Sequence, residues 1–479
     1  MSNLLASVVS SAGSLEAYGR VLEAVQNNVS NASTPGYAKQ RVELYAIPFD
    51  PASGSTGGVR AGKLVSARNE FAEQAVRQQT SGMGYQQQLV DSLTAIQSNF
   101  DISGNQGIPR ALNNLFQSFS AWGATPDNQA ARQTVVARAT DLALSFQHAV
   151  NTVSAQARDA EQQISQTVDQ VNQLVGQIQG YNHLVMQGNQ GDAGLSTRTH
   201  ASLEELATLV DVTATFESDG TVNLTLNGET PLLLGDQQFK ISSSVYQPQE
   251  PPPANASGPA IVRIQRSDGS DITSKTTGAQ LGALLHLRNQ ILPSFVGDAY
   301  QAGDLNVMAK QFADRVNQLL TSGNITDGPP AEAGIALFTY DTTNATNAAA
   351  SLSVDPSVTP DQLAAISPGP PAVSNGVPLT LSALANPVQD ADKVNGVSYT
   401  QFYGLLAGRV GSALNDATDN QDAQRSLVAQ AKSLRQQYQG VSLDEEATIL
   451  MQFQRAYQAT SKLLSVLDQL TEATINILQ

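Results

Sequence analysis

Hydrophobic residues recur at helical spacing near the start of the chain. Five of them follow a 3-4-3-4 spacing, which places them on one face of an α-helix: Leu15, Tyr18, Leu22, Val25 and Val29. The run ends in the polar stretch 27–31, whose asparagines tolerate helix-ending geometry. Residues 34–37, Thr-Pro-Gly-Tyr, then have the chemistry of a type II turn, because proline presets one turn angle and glycine supplies the positive φ that the next position needs.

A similar pattern occupies the end of the chain. One row repeats every seven residues, with a second seam position beside it: Leu443, Leu450, Tyr457, Leu464, Thr471 and Leu478 form the row, and Phe453 and Leu467 the second position. Ser442 stands three residues before Glu445, which is the spacing of a capping box. Since no proline or glycine follows Gly440, the pattern predicts one continuous helix about 54 Å long at 1.5 Å per residue.

Between these ends the periodicity changes. Further helical spacing covers 69–100, 109–122, 128–186, 281–320 and 405–438. Short strands are predicted at 59–67, 212–216, 222–226 and 261–264. Five prolines within 247–259 predict a rigid, extended linker. The stretch 323–395 is rich in Pro, Gly, Ala, Asn and Thr, which predicts irregular or β-rich structure.

These elements predict an α+β fold with long, coiled-coil-like terminal helices, a helical bundle and an inserted β-rich domain. Three domains follow from the points at which the pattern changes. The terminal helical domain takes 1–50 and 441–479. The helical body takes 51–210, 281–325 and 396–440. The β-rich domain, expected to face outward, takes 211–280 and 326–395.

Composition excludes several classes of function. The chain has 479 residues, with 26 Lys and Arg against 42 Asp and Glu, so its formal charge is −16. Such an acidic chain is a poor nucleic-acid binder. It contains no cysteine, which removes disulfides, thiolate nucleophiles and Cys-ligated metals. No apolar run is long enough to span a membrane, and no basic residue precedes Arg20, so we expect no cleaved signal peptide.

Residues that could carry chemistry do not assemble into a known motif. None of the four histidines has a metal-binding spacing. Residues 57–63 fit a phosphate-loop pattern, but Leu64 replaces the Ser or Thr that would hold magnesium. We interpret the acidic run 444–446 as the charged first turn of a helix. Phe453 and Tyr457, on the heptad seam, are interpreted as packing residues rather than a ligand platform. The sequence therefore predicts no catalytic, cofactor or metal site.

The terminal seams allow two interpretations. The two end helices could pack on each other within one chain, or they could meet helices of other subunits. A helix much longer than the diameter of a compact domain cannot bury its whole seam against that domain. We therefore favour burial between subunits.

Both ends of the chain resemble one family. Residues 27–37, Asn-Asn-Val-Ser-Asn-Ala-Ser-Thr-Pro-Gly-Tyr, resemble the N-terminal signature of the bacterial flagellar rod, hook and hook-associated proteins. Residues 454–459, Gln-Arg-Ala-Tyr-Gln-Ala, with Leu467-Asp468, resemble the C-terminal signature of the same family. Ser30 and Lys39 depart from the usual pattern, but each is conservative in size or charge. The hook-associated members match best, notably at 440–447, Gly-Val-Ser-Leu-Asp-Glu-Glu-Ala.

The resemblance implies a structural role and no enzyme activity. It implies a subunit of the junction between hook and filament, outside the cell, exported without a cleaved signal. The implied partners are other copies of the chain in a ring, the hook protein, the third hook-associated protein and an export chaperone on the C-terminal helix, with no nucleic acid and no membrane. The alternative is another axial protein, namely the hook protein or the third hook-associated protein.

These inferences define the candidate site residues. The assembly residues are Leu15, Tyr18, Leu22, Val25, Asn27, Asn28, Val29, Asn31, Pro35, Gly36, Tyr37, Leu450, Phe453, Gln454, Tyr457, Leu464 and Leu467. Ser442 and Glu445 cap the last helix. The residues assigned to the export chaperone are Leu464, Leu467 and Leu470.

Overall fold

The chain is mainly helical, with a few small antiparallel sheets. A computed structural model describes residues 2–50, 55–97, 100, 106–246, 261–298, 301–328, 330–343 and 347–477. The α+β fold class predicted from the sequence is confirmed. Among the described residues, every helix is too short or too polar to cross a lipid bilayer.

The long helices coincide with the segments of helical periodicity. In chain order the α-helices are α1 (Ser2–Ser30), α2 (Glu70–Gln97), α3 (Gly107–Ala124), α4 (Gln129–Met186), α5 (Ala193–Leu209), α6 (Ala279–His286), α7 (Leu292–Val296), α8 (Asp304–Thr321), α9 (Ala348–Ser351), α10 (Gly376–Ala383), α11 (Tyr399–Gln439) and α12 (Leu443–Ile477). The predicted helix at 281–320 is interrupted: a π-helical turn at Leu287–Ile291 joins α6 to α7, and Gly297 then turns the chain with a φ of 80°.

The strands are short apart from one hairpin. They are β1 (Gln40–Asp50), β2 (Ser55–Ser66), β3 (Val212–Phe216), β4 (Val222–Leu226), β5 (Thr230–Leu234), β6 (Gln237–Gln238), β7 (Ile241–Val245), β8 (Val262–Arg266), β9 (Phe338–Thr339) and β10 (Ser353–Val354). β1 and β2 pair antiparallel, from Gln40 opposite Ser66 to Asp50 opposite Ser55. The sequence pattern predicts β2 but misses β1, which is exposed along most of its length. The predicted linker at 247–259 lies outside the described residues.

One compact unit contains both ends of the chain. It comprises Met1–Met83, Val171–Lys240 and Gln424–Gln479. Within it, α12 and the β1–β2 hairpin pack on α1, and β3 to β6 form an antiparallel sheet in sequence order. Asn182 of α4 anchors this sheet, because its side chain accepts from the Val222 backbone N–H at 2.9 Å and donates to the Val222 carbonyl at 2.8 Å.

The second unit comprises Gly84–Gln170 and Ile241–Ala423. Its core is built around large side chains that are fully buried, among them Trp122, Phe146 and Phe312. Phe312 meets the ring of Tyr399 edge-on at 5.1 Å. β7 and β8 form a separate antiparallel pair in this unit. The described residues between 323 and 395 are largely irregular, with short helices and the two-residue strands β9 and β10.

The two compact units have other boundaries than the three domains predicted from the sequence. Strands β3 to β6 belong to the first unit, whereas β7 to β10 belong to the second. Segments 211–280 and 326–395 are therefore not gathered into one compact unit. The division into a terminal helical domain, a helical body and an outward β-rich domain remains a prediction.

A candidate assembly site at the paired termini

The two terminal helices pack on each other within the chain. The rings of Tyr18 in α1 and Phe453 in α12 lie 5.7 Å apart, and Asn28 donates to Glu446 at 3.0 Å. Because the earlier residue of α1 meets the later residue of α12, the helices run antiparallel. One side of α1 and one side of α12 therefore pack on each other within the chain.

The buried stripe of α1 is shifted by one residue from the predicted seam. Val25 is buried, Leu15, Tyr18 and Leu22 are half-buried, and Val29 is 44% exposed. Besides Val21, the stripe that is most buried holds small or polar residues: Ser14, Ala17, Ala24 and Asn28. Small side chains let a neighbouring backbone approach closely, so they pack well without matching an apolar pattern.

The hairpin supplies that backbone. The Val59 N–H donates to the Ser14 hydroxyl at 3.0 Å, and the Ser10 hydroxyl donates to the Gly57 carbonyl. Gly58 has a φ of 128°, and a Cβ there would lie 2.4 Å from the Ser10 hydroxyl oxygen. This contact therefore requires glycine at position 58.

α12 carries two apolar stripes. The predicted seam is the one that faces α1, since five residues of it are half-buried: Leu450, Phe453, Leu464, Leu467 and Thr471. Tyr457 is 41% exposed and Ala456 takes its half-buried place, while Leu443 at the start of the row is 56% exposed. The second stripe consists of Leu463, Val466 and Leu470, which are 52%, 51% and 51% exposed. Gln454 is exposed as well.

Asn28 is the centre of the contact between the termini. Its side-chain amide donates to the Gln40 carbonyl at 2.8 Å and to the Glu446 carboxylate at 3.0 Å. Its carbonyl oxygen accepts from the Gln40 N–H at 2.8 Å and from the Tyr37 hydroxyl at 3.0 Å. This buried amide therefore uses both of its donors and both lone pairs.

Glu446 and Lys39 add an ion pair to this contact. Glu446 is fully buried and lies 3.2 Å from the Lys39 ammonium, which also pairs with the exposed Glu445 at 2.9 Å. Burial lowers the pKa of Lys39, but its hydrogen bonds with the two carboxylates outweigh burial, and the pKa ends above the ordinary value. Burial raises the pKa of Tyr37, and the charge of Glu446 adds to the rise. Residues 444–446 do form the charged first turn of α12, as interpreted from the sequence, and Glu446 is buried there.

The turn after α1 has the predicted geometry. Gly36 has a φ of 73°, and the Tyr37 N–H donates to the Thr34 carbonyl at 3.2 Å. Asn31 closes the helix end by donating to the Asn27 side chain at 2.6 Å. Pro35 and Asn27 are exposed, whereas Asn31 and Gly36 are half-buried.

The predicted capping box is half formed. The Glu445 N–H donates to the Ser442 hydroxyl at 3.5 Å, the outer limit for such a bond. The Glu445 side chain pairs with Lys39 instead of reaching back to the backbone of Ser442. A contact from a distant segment therefore replaces the local one.

A second buried cluster supports the turn and the end of α11. Glu73 accepts from Arg68, from Arg435 at 3.2 Å and from the Gln439 amide at 2.7 Å. Arg68 also donates to the Gly36 carbonyl at 2.8 Å, which ties the cluster to the turn. The sequence pattern does not select Arg68, Glu73, Arg435 or Gln439. Only the position of Lys39 and Gln40, directly after the N-terminal signature, could have drawn attention to this region.

His200 lies beside this cluster and is neutral. Its ring stacks on Phe216 at 4.9 Å, and its Nε2 lies 3.5 Å from Glu70. Burial, followed by the charges of three nearby arginines, lowers the pKa of His200 to about 2. Among the described residues, no group of three or more His, Asp or Glu could hold a metal ion.

Comparison with known families identifies the chain. The helical domain of the flagellar hook-associated protein FlgK matches residues 93–338, which is just over half of the sequence. The chain belongs to the FlgK family of flagellar hook-associated proteins. It is thus a structural component of the bacterial flagellum. Residues 435–477 also match the C-terminal family of the flagellar basal body rod proteins FlgEFG, and these residues include α12.

Proteins of the FlgK family align with this chain over nearly its whole length. The flagellar hook-associated protein 1 of Bacillus subtilis is 24% identical over 96% of this chain and 96% of its own length. That of Escherichia coli is 22% identical over the full length of both. The flagellar hook junction protein FlgK of Burkholderia pseudomallei has a similar fold, with a TM-score of 0.60 and 16% identity over 77% of this chain and 100% of that one. The sequence motifs favour the same member, hook-associated protein 1, over the alternative axial proteins.

Proposed function

We propose that this chain is a subunit of the junction between flagellar hook and filament and that it polymerises through α1 and α12. Its neighbours in that junction are other copies of the chain in a ring, the hook protein and the third hook-associated protein. The role is structural and requires no catalysis or cofactor. FlgK family membership and the surface of α12 support the proposal.

The observation that carries the proposal is the second apolar stripe of α12. Leu463, Val466 and Leu470 lie at i, i+3 and i+7, on one side of the helix, and each is about half exposed. In the described part of α12, Glu446 is the one residue that is buried. A helix that keeps an apolar stripe in water beside a half-buried one has a surface available for a further helix.

The same helix is the proposed binding segment for an export chaperone. An amphipathic helix can lay its apolar face into a groove, with anchors at i, i+3 and i+7. We assign Leu464, Leu467 and Leu470 to this contact: they lie at i, i+3 and i+6, and Leu470, which is exposed in the folded chain, is also the i+7 partner of Leu463. We propose that the chain is exported without a cleaved signal and acts outside the cell.

Replacing Leu470 with aspartate tests the assembly surface. Because Leu470 is half exposed, the folded chain should lose about 0.5 kcal/mol or less. An aspartate facing an apolar interface would be left without a partner, so assembly should fail. Cells carrying Leu470→Asp should secrete filament subunits into the medium and fail to swim.

Ser465→Asp is the matched control. Ser465 is exposed and lies on the polar side of α12, so the same charge should leave assembly intact. The measurements are swimming in soft agar, immunoblots of the medium for filament protein, and thermal unfolding of both purified variants. Normal swimming with Leu470→Asp would exclude this stripe as an interface.

A further inference from the structure

Four chain segments converge on one buried point in the first unit. They are the end of α1, the start of β1, the end of α11 and the start of α12. Asn28 joins three of them through its four hydrogen bonds, and the Lys39 backbone N–H adds the fourth by donating to the Gln439 carbonyl at 3.0 Å. A contact that needs several segments in place at once forms cooperatively.

We infer that Asn28, Lys39 and Glu446 form a latch: docking of α12 on α1 orders the 34–40 segment, and release of α12 loosens it. This coupling is a property of the fold and does not depend on which partner the chain assembles with. No single member of the latch can leave without stranding another.

The energetic reason lies in the burial of the groups involved. If Glu446 leaves, one Asn28 N–H and the Lys39 ammonium lose a buried partner. If Asn28 turns away, the N–H and carbonyl of Gln40 are both left unpaired in a site where Gln40 is 5% exposed. Unpaired buried polar groups are costly, so the states in which only part of the latch is closed are poorly populated.

The rest of α12 is suited to moving as a unit. Beyond Glu446, its described residues are half-buried or exposed, and it packs on α1. Only residues 440–442 connect it to α11. Gly440 has no room for a side chain, since a Cβ would lie 2.4 Å from the Gln436 carbonyl oxygen. α12 is therefore a helical arm with one buried anchor at its base.

Amide hydrogen exchange on the full-length chain tests the latch. The reporters are the amides of Tyr37, Lys39 and Gln40, each hydrogen-bonded in the closed state. Glu446→Gln should speed exchange at these amides and in the first turns of α12 by a common factor of about tenfold or more, because it removes the charge from a buried hydrogen-bonded group. Acceleration in α12 alone would refute the coupling.

Glu445→Gln is the matched control. Both carboxylates pair with Lys39, at 2.9 and 3.2 Å, but the side chain of Glu445 is 59% exposed and that of Glu446 is buried. Exposed pairs contribute little, so exchange in Glu445→Gln should stay within about twofold of the parent. If Glu445→Gln and Glu446→Gln speed exchange equally, the burial of Glu446 does not contribute to holding the latch closed.

Two milder variants approach the latch from opposite ends. Tyr37→Phe removes one bond to Asn28 and should speed exchange at the start of α12, because coupling between two sites is reciprocal. Leu464→Ala weakens α12 far from the latch and should speed exchange at Lys39 and Gln40. If Leu464→Ala loosens α12 while the amides of Lys39 and Gln40 keep their rates, the latch does not exist.

Discussion

Glu73 allows a sharp test of the buried cluster beneath the turn. Its side chain is 3% exposed and accepts from Arg68, from Arg435 at 3.2 Å and from Gln439 at 2.7 Å. Arg77 on the same helix is also buried, at 5% exposure. The guanidinium groups of Arg68, Arg77 and Arg435 are neutralised by a small number of carboxylates, of which Glu73 is the most buried.

Replacing Glu73 with glutamine keeps the shape and removes the charge. Removing one partner of a buried ion pair costs about 3–5 kcal/mol, because the other partner stays buried and uncompensated. Glu204 still pairs with Arg435 at 2.8 Å, which limits the loss. We therefore expect Glu73→Gln to lower the free energy of unfolding by about 3 kcal/mol. Glu73→Ala should lose more, about 4–5 kcal/mol, since it also leaves a cavity.

Urea unfolding followed by far-ultraviolet circular dichroism measures this loss. Glu16→Gln is the control, because Glu16 pairs with Arg20 at 2.8 Å on the surface with its side chain 67% exposed. Such exposed helical pairs contribute about 0.3–0.5 kcal/mol. A change below about 1 kcal/mol for Glu73→Gln would show that the Glu73 charge does not stabilise this cluster, since buried ion pairs broken on one side cost several times that amount.

Three further outcomes are expected. The pKa of His200 is lowered from 6.5 to about 2, so between these pH values the unfolded chain binds a proton that the folded chain does not. The free energy of unfolding should therefore fall as the pH drops from 6.5 towards 2. In His200→Gln, the free energy of unfolding measured between about pH 7 and 4 should depend less on pH, because this contribution is gone. Gly58→Ala should destabilise the chain by about 2 kcal/mol or more through a strained φ and a close contact, whereas Gly13→Ala, with open space around it in α1, should stabilise it by about 0.5–1 kcal/mol in thermal unfolding. Leu470→Asp should weaken binding of the export chaperone in calorimetric titration, and Ser465→Asp should not.

The terminal helices were predictable because their signal is local. Heptad spacing and the absence of helix breakers give α12 nearly its full length, and the turn at 34–37 follows from the preferences of proline and glycine. Both features depend on neighbours in sequence. The two family signatures are equally local, since each is a short run of residues.

The contacts that hold the termini together were not predictable. Asn28 and Glu446 are separated by 418 positions, so no local pattern relates them. The buried stripe of α1 contains Ser14 and Ala17, which an apolar pattern does not select. β1 has no sustained alternation, because its apolar residues occupy consecutive positions from Leu44 to Ile47 and most of the strand is exposed. In each case, packing against a distant segment overrides the local pattern.

Electron cryomicroscopy of the hook–filament junction in isolated flagella can locate this chain and show what covers α12. We expect density for this chain between hook and filament, with α1 and α12 paired antiparallel. We also expect a neighbouring copy to cover the stripe of Leu463, Val466 and Leu470. Density for the chain elsewhere in the flagellum would exclude the proposed junction role, and a junction in which this stripe faces solvent would exclude the stripe as an interface.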